Sequence, residues 1–247
     1  MKKISMETNS MKTLIFGAGP IGRWIALGLH KAGKDVTLLA RNETYDLIKN
    51  DGIVLVDGHT NEKRVAKVNV TDKLNPEDQY ELIVVVMRKS SRVDACSILA
   101  QNKHLKNVLF LGNDVSGFHQ YFEYLPKEKV LLGFPGAGGG YDGDNLVFVD
   151  SEKPNDKKAS IYIGELDGKA RERTRQIKAF FESAGQPISI ENDIDGWLKY
   201  HFAFMAPTAG VVFKCELDLH AVAEDRESIR KYVLACREAG NVLRRIG

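Results

Sequence analysis

Short runs of valine, isoleucine and leucine, unrelieved by polar alternation, recur at Thr13–Phe16, Val36–Ala40, Leu82–Met87, Val108–Leu111 and Val130–Gly133, with helical patterns among them. A strand with one face in water alternates apolar and polar residues, whereas a strand covered on both faces is apolar throughout. The pattern predicts βαβ units and a mostly parallel sheet flanked by helices. Between the second and third runs, GIVLVDGHTNEKRVAKVNV sets two β-like runs about a polar turn holding Asp57 and Gly58, a hairpin-like insertion. Later, GFPGAGGGYDGDNLVFVD and ASIYIGEL read as a loop plus strands, the glycine-dense part a flexible loop on the substrate side. KARERTRQIKAFFESAG is then a helix closed by Gly185.

The period changes after PISIEN. From Asp193 a helical stripe runs through Ile194, Trp197, Leu198, His201, Phe202 and Met205, until Pro207 is expected to break or kink it. A last helix from about Ser228 to Ile246 carries Ile229, Val233, Cys236, Val242 and Ile246, with no later segment to cover it. Either a second copy covers that stripe, as in a homodimer, or the natural protein continues. The division expected is a leader over residues 1–10, a Rossmann-like nucleotide-binding domain over 11–192, and the start of a helical domain over 193–247.

Composition narrows the partners. The 35 basic and 33 acidic residues leave a net charge of +2, so nothing global points to nucleic acid or an anionic membrane. Cys96, Cys215 and Cys236 are odd in number and far apart, which argues against a disulfide framework and a thiolate zinc site. The six histidines form no HxxxH or HExxH pair, so no metal site is expected. Leu82 to Met87 is the longest aliphatic run, too short to span a bilayer, and a cytoplasmic location is expected.

The first unit carries the chemistry. Gly17-Ala18-Gly19-Pro20-Ile21-Gly22 follows a strand and opens a helix, the setting in which GxGxxG holds a dinucleotide. Gly17 permits the tight turn, Gly19 lets backbone approach a pyrophosphate, and Gly22 allows helix to pack on strand. Amide groups at the helix N-terminus then face the phosphates. A carboxylate at the end of the second strand would accept hydrogen bonds from the ribose of NAD and repel a 2′-phosphate. The chain has Leu39-Ala40-Arg41-Asn42 there, and the Arg41 guanidinium suits a phosphate, so NADP is the expected cofactor.

From Met11 to about Cys236 the chain resembles the ketopantoate reductases. The likeness rests on IFGAGPIG with VTLLAR, on IVVVMRKS, LFLGNDVSG and IYIGELDG, and on DIDGWLKYHFAFMAP in that order. It implies NADPH-dependent reduction of a 2-oxo acid, a small molecule, to a 2-hydroxy acid, in pantothenate biosynthesis for the name-giving enzymes. It also implies that Arg88, with Lys89 beside it, stands where the family has a lysine near the cofactor phosphate. Asn113 matches an asparagine near nicotinamide and substrate, and Lys199 an active-site lysine. As a proton donor to a developing alkoxide such a lysine, ordinarily titrating near about 10.4, benefits from partial burial, and its charge stabilises the alkoxide.

Two departures bear on substrate. Ala203 stands one helical turn after Lys199, where the family commonly has a substrate-binding asparagine. The family's later helices, with their carboxylate and serine, have no counterpart before Gly247. These departures favour a bulkier or less polar carbonyl compound than ketopantoate, or a different class altogether, a non-catalytic NADP-binding module that senses redox state.

Overall fold

The computed structural model describes residues 11–113, 117–143, 145–151, 156–216 and 218–246. The expected leader and the three residues after Asn113 lie outside that set. The strands are β1 (Thr13–Phe16), β2 (Val36–Leu39), β3 (Ile53–Asp57), β4 (Lys63–Ala66), β5 (Asn69–Thr71), β6 (Leu82–Val85), β7 (Asn107–Leu111), β8 (Val130–Phe134), β9 (Gly138–Asp142), β10 (Asn145–Val149), β11 (Ile161–Glu165) and β12 (Ile188–Ile190). The helices are α1 (Pro20–Lys31), α2 (Glu43–Asp51), α3 (Arg92–Ala100), α4 (Glu172–Glu182), α5 (Ile194–Lys214), α6 (Leu219–Glu224) and α7 (Arg226–Ile246).

Eight strands form one sheet in the order β12-β11-β8-β7-β6-β1-β2-β5, with β11 antiparallel to β8 and the other pairs parallel. All four residues of β1 and of β6 are buried, as runs without polar alternation require. The fold class read from the sequence is the one observed. The expected hairpin is β3 against β4, and it is part of something larger: β10 pairs parallel to β3 and antiparallel to β9, closing a second sheet in the order β4-β3-β10-β9.

This second sheet explains α1. The helix touches β1 and β2 on one side and β3, β4, β9 and β10 on the other. A helix enclosed between two sheets needs apolar residues all round, and Trp24, Ile25, Ala26, Leu27 and Leu29 are all buried. Removing such a side chain, as in Ile25→Ala, leaves a void costing about 2–5 kcal/mol.

The glycine-dense stretch expected as a flexible substrate-side loop is instead β9. Its pairing partner β10 lies beyond a short turn, and its glycines let it run close to α1: a Cβ built on Gly139 would stand 2.7 Å from Pro20 Cβ. Pro207 does not end α5, which continues through it to Lys214. A proline removes one amide donor from the ladder, and the turns on either side carry the helix on.

The chain divides into two compact units. The first holds both sheets and runs to Gly112 and from Gly117 to Ile194; the second comprises Asn113 and the described residues from Asp195 onward. In the second unit Lys214 Nζ donates to Asp225 Oδ2 at 2.8 Å and to Ser228 Oγ at 2.7 Å, and Phe204 meets Tyr232 edge-on, so α5 and α7 lie side by side. No helix among the described residues is long and apolar enough to cross a membrane.

Candidate functional site

The turn between β1 and α1 is shaped by two contacts that only glycine permits. Gly17 has φ of +128°, and a Cβ there would lie 2.2 Å from the Val86 carbonyl oxygen. A Cβ on Gly22 would lie 1.8 Å from the oxygen of Gly17. Gly19 differs: a Cβ built on it meets nothing within 4 Å, so the space it leaves is open. The close contacts at Gly17 and Gly22 exclude a side chain, whereas Gly19 borders an open place beside the turn.

That place is a cleft of about 240 Å³. Gly17, Ala18 and Gly19 form its floor with Phe16, and Leu39, Ala40, Arg41 and Thr44 come from the end of β2 and the start of α2. Met87 and Tyr141 complete it. Pro20 occupies the first position of α1, where a missing amide costs nothing. Ile21 and Gly22 follow in the first turn, where amide groups have no carbonyl one turn back to bond.

The turn is braced from behind. Arg23 is buried, and its Nε donates to the Ala18 carbonyl at 2.9 Å. Burial pushes the Arg23 guanidinium below its ordinary value, and the Tyr141 phenol opposes that shift. Arg92 does a similar service at the ends of β6 and β7, donating from Nε to Met87 O at 3.0 Å and from Nη2 to Leu111 O at 3.2 Å. Gly112, at φ of +141°, leaves room for that guanidinium.

Arg41 is exposed at the cleft, and no carboxylate is among the residues that line it. The residue after it, Asn42, takes φ of +54° and ψ of −141°, a sparsely populated conformation outside the left-handed helical region. This bend leads into α2, whose first turn brings Thr44 to the cleft with Arg41. Thr44, Met87, Tyr141 and Arg23 escaped the sequence reading. Only Thr44 had a local signal, a hydroxyl at a helix start three residues after Arg41. Arg88 is exposed one residue after Met87 and precedes a short 3-10 turn over Lys89–Ser91. It is not among the residues lining the cleft.

Asn113 and Lys199 belong to the second unit. Asn113 is exposed. Lys199 is half-buried on α5, and its Nζ donates to Asp195 Oδ2 at 2.8 Å, one helical turn earlier. The other oxygen, Oδ1, is buried without a hydrogen-bond partner among the described residues. Ala203 is half-buried one turn after Lys199. His201 stacks on Trp197 with ring centroids 5.0 Å apart, and burial pushes its imidazole below the ordinary value. No group of three or more potential metal ligands occurs among the described residues.

The residues fit a dinucleotide: a glycine turn with open space at its middle residue, a helix N-terminus, and a cation with a hydroxyl where an adenosine ribose would lie. The chain is also similar to known proteins. The family model described as ketopantoate reductase PanE/ApbA matches residues 13–168. An oxidoreductase of Bacillus subtilis, YkpB, is 27% identical over 214 residues, covering 81% of this chain and 64% of its own length. The 2-dehydropantoate 2-reductase of Listeria innocua is 25% identical over 175 residues, covering 70% of this chain and 56% of its own. The chain thus spans less than two thirds of these curated relatives. Among solved structures, D-mandelate dehydrogenase with NADH and anilino(oxo)acetate superposes with a TM-score of 0.74 at 16% identity, covering 87% of this chain and 68% of that one. The 2-dehydropantoate 2-reductase of Geobacter metallireducens gives 0.72 at 16% identity, covering 87% and 70%. At that identity the two structures speak for the fold.

Proposed function

From the premise that this chain belongs to the ketopantoate reductase PanE/ApbA family, which the match over residues 13–168 shows, we propose that it is an NADPH-dependent reductase of 2-oxo acids. One observation carries the cofactor reading: the cleft over the glycine turn holds Arg41 and Thr44 and no carboxylate. A 2′-phosphate gains a charge-assisted contact there, and no acid stands ready for the free ribose hydroxyls of NAD. Backbone at Gly17, Ala18 and Gly19 and the first turn at Pro20, Ile21 and Gly22 hold the diphosphate, with Arg88 a further cation close in sequence to Met87.

The bound nicotinamide supplies a hydride to the carbonyl carbon of the 2-oxo acid. Lys199 gives a proton to the carbonyl oxygen as that bond becomes an alkoxide, so the product is the 2-hydroxy acid, and the lysine regains its proton from water. Asp195 is its positioning residue, anchoring Nζ through the 2.8 Å hydrogen bond. Asn113 orients the substrate through its carboxamide. Ala203 brings no hydrogen-bonding side chain, which favours a substrate less polar than ketopantoate. The reaction is placed in the cytoplasm.

The test is consumption of NADPH, followed by its absorbance, against a panel of 2-oxo acids that includes ketopantoate and bulkier aryl and branched members. Turnover with at least one of them is the expected result. Ala203 also favours a second reading, an NADP-binding module without catalysis. Tight NADPH binding with no turnover on any of the acids would select the module.

A further inference from the structure

Tyr141 has no place in the family reading above, yet it lines the cleft. It is 72% exposed, a large aromatic with little cover from the chain. Its strand fixes where the ring goes. In the β9–β10 pair, Gly139 stands opposite Phe148 and Tyr141 opposite Leu146. Residues directly opposite in an antiparallel pair share a face, as do residues two apart on one strand. Phe148 and Leu146 are buried, and Gly139 lies against Pro20 and Ile21. The face that bears Tyr141 is therefore the one packed on the start of α1. Two residues beyond Gly139, roughly 7 Å along the strand, that face has run past the helix start and stands beside the glycine turn.

Tyr141 also borders two spaces. One is the cleft of about 240 Å³ with Gly17 and Arg41. The other is a cleft of about 560 Å³ that Tyr141 shares with Val56, Asn61 and Lys63. The first cleft also takes Leu39, Ala40 and Met87 as apolar lining and Arg41 and Thr44 as polar lining beside the glycine turn. An exposed aromatic ring in a cleft with apolar lining and groups suited to phosphate matches one ligand part, a flat purine with its ribose.

We propose that Tyr141 is a nucleotide-binding residue whose ring covers the adenosine half of a dinucleotide seated over the glycine turn. This rests on the cofactor reading above and extends it to a residue on the second sheet. That sheet then has a function beyond covering α1: it carries one wall of the site.

The experiment is calorimetric titration of the intact chain and its Tyr141→Phe and Tyr141→Ala variants with NADPH, with adenosine 2′,5′-bisphosphate, and with reduced nicotinamide mononucleotide. Tyr141→Ala is expected to weaken NADPH and the bisphosphate by about tenfold or more, and Tyr141→Phe by less than about threefold, since the ring and not the hydroxyl makes the contact. The mononucleotide should bind all three proteins alike, and thermal midpoints should agree because the side chain is exposed. Affinity of Tyr141→Ala within about twofold of the parent would overturn the proposal, and so would an equal loss in Tyr141→Phe. A parent chain that binds neither NADPH nor the bisphosphate would instead defeat the cofactor reading itself, and Tyr141 with it.

Discussion

Two glycines three residues apart in one turn make opposite demands. A methyl group on Gly22 would collide with the oxygen of Gly17, whereas a methyl group on Gly19 has open space and a φ of −73° that alanine accepts. Gly22→Ala is therefore expected to lower stability by about 2 kcal/mol or more, read as a lower urea midpoint. Gly19→Ala should leave that midpoint nearly unchanged and weaken NADPH by about tenfold or more, because the methyl group intrudes where a diphosphate lies. Equal effects of the two on stability would contradict the division of roles. Lys199 invites a similar separation. Lys199→Ala should lower kcat by about 100-fold or more while NADPH affinity stays within about twofold. If Asp195 acts by holding Nζ, Asp195→Ala should lower kcat in the parent and add little to Lys199→Ala, a coupling seen in a double-mutant cycle. The motif GxGxxG was legible in the sequence because its spacing is local and its glycines are dictated by backbone geometry. The Asp195–Lys199 pair follows the i, i+4 spacing and was there to be read. Tyr141 was not, since nothing within its own segment marks it.

Among elements, the strands buried on both faces announced themselves through unbroken apolar runs, and β1 starts and stops at the expected residues. The second sheet did not. Its hairpin β3–β4 is local, but β10 joins β3 across some ninety intervening residues, and β9 is exposed along its whole length. A strand rich in glycine and open to solvent has the composition of a loop, and only its pairing makes it a strand. At the opposite end of the chemistry, Glu165 at the end of β11 is buried and accepts from Arg173 Nε at 2.8 Å and Thr174 Oγ1 at 2.6 Å, with Arg171 at 3.1 Å. Arg173 reaches on to the Glu128 carbonyl and to Asn107 at the start of β7. Burial by itself would push the Glu165 carboxyl up; the hydrogen bonds from Arg173 and Thr174 and the charges of Arg173 and Arg171 outweigh it and hold the carboxyl below its ordinary value. A depressed carboxyl contributes stability that is complete above its unfolded value, near about 4.3, and is lost as pH falls through the lower folded value. Glu165→Gln should therefore destabilise at neutral pH, and its difference from the parent in urea midpoint should shrink towards about pH 3. A difference that stays constant with pH would show that the charge is not what joins these elements.

For the whole molecule, the two units differ in how much they bury. The first holds nearly every buried apolar side chain among the described residues, whereas from Asp195 onward Leu198 is the one hydrophobe buried among the side chains described. Phe204, Phe213, Val233 and Val242 are exposed on α5 and α7. Local stability follows apolar burial, so amides of α7 should exchange with deuterium well before those of β1 and β6. Exchange at equal rates would contradict that ordering. The expected division of the chain at its change of period rested on the same physics, apolar strands giving way to a long amphipathic helix. The proposed function turns on which dinucleotide the first unit selects, a choice that the proposal assigns to the Arg41 cation at the end of β2. The most direct measurement is the ratio of dissociation constants for NADPH and NADH in the parent chain and in Arg41→Asp. The account predicts that the parent prefers NADPH by about tenfold or more and that the substitution inverts the preference. A parent that binds NADH as tightly, or a ratio untouched by Arg41→Asp, would contradict it.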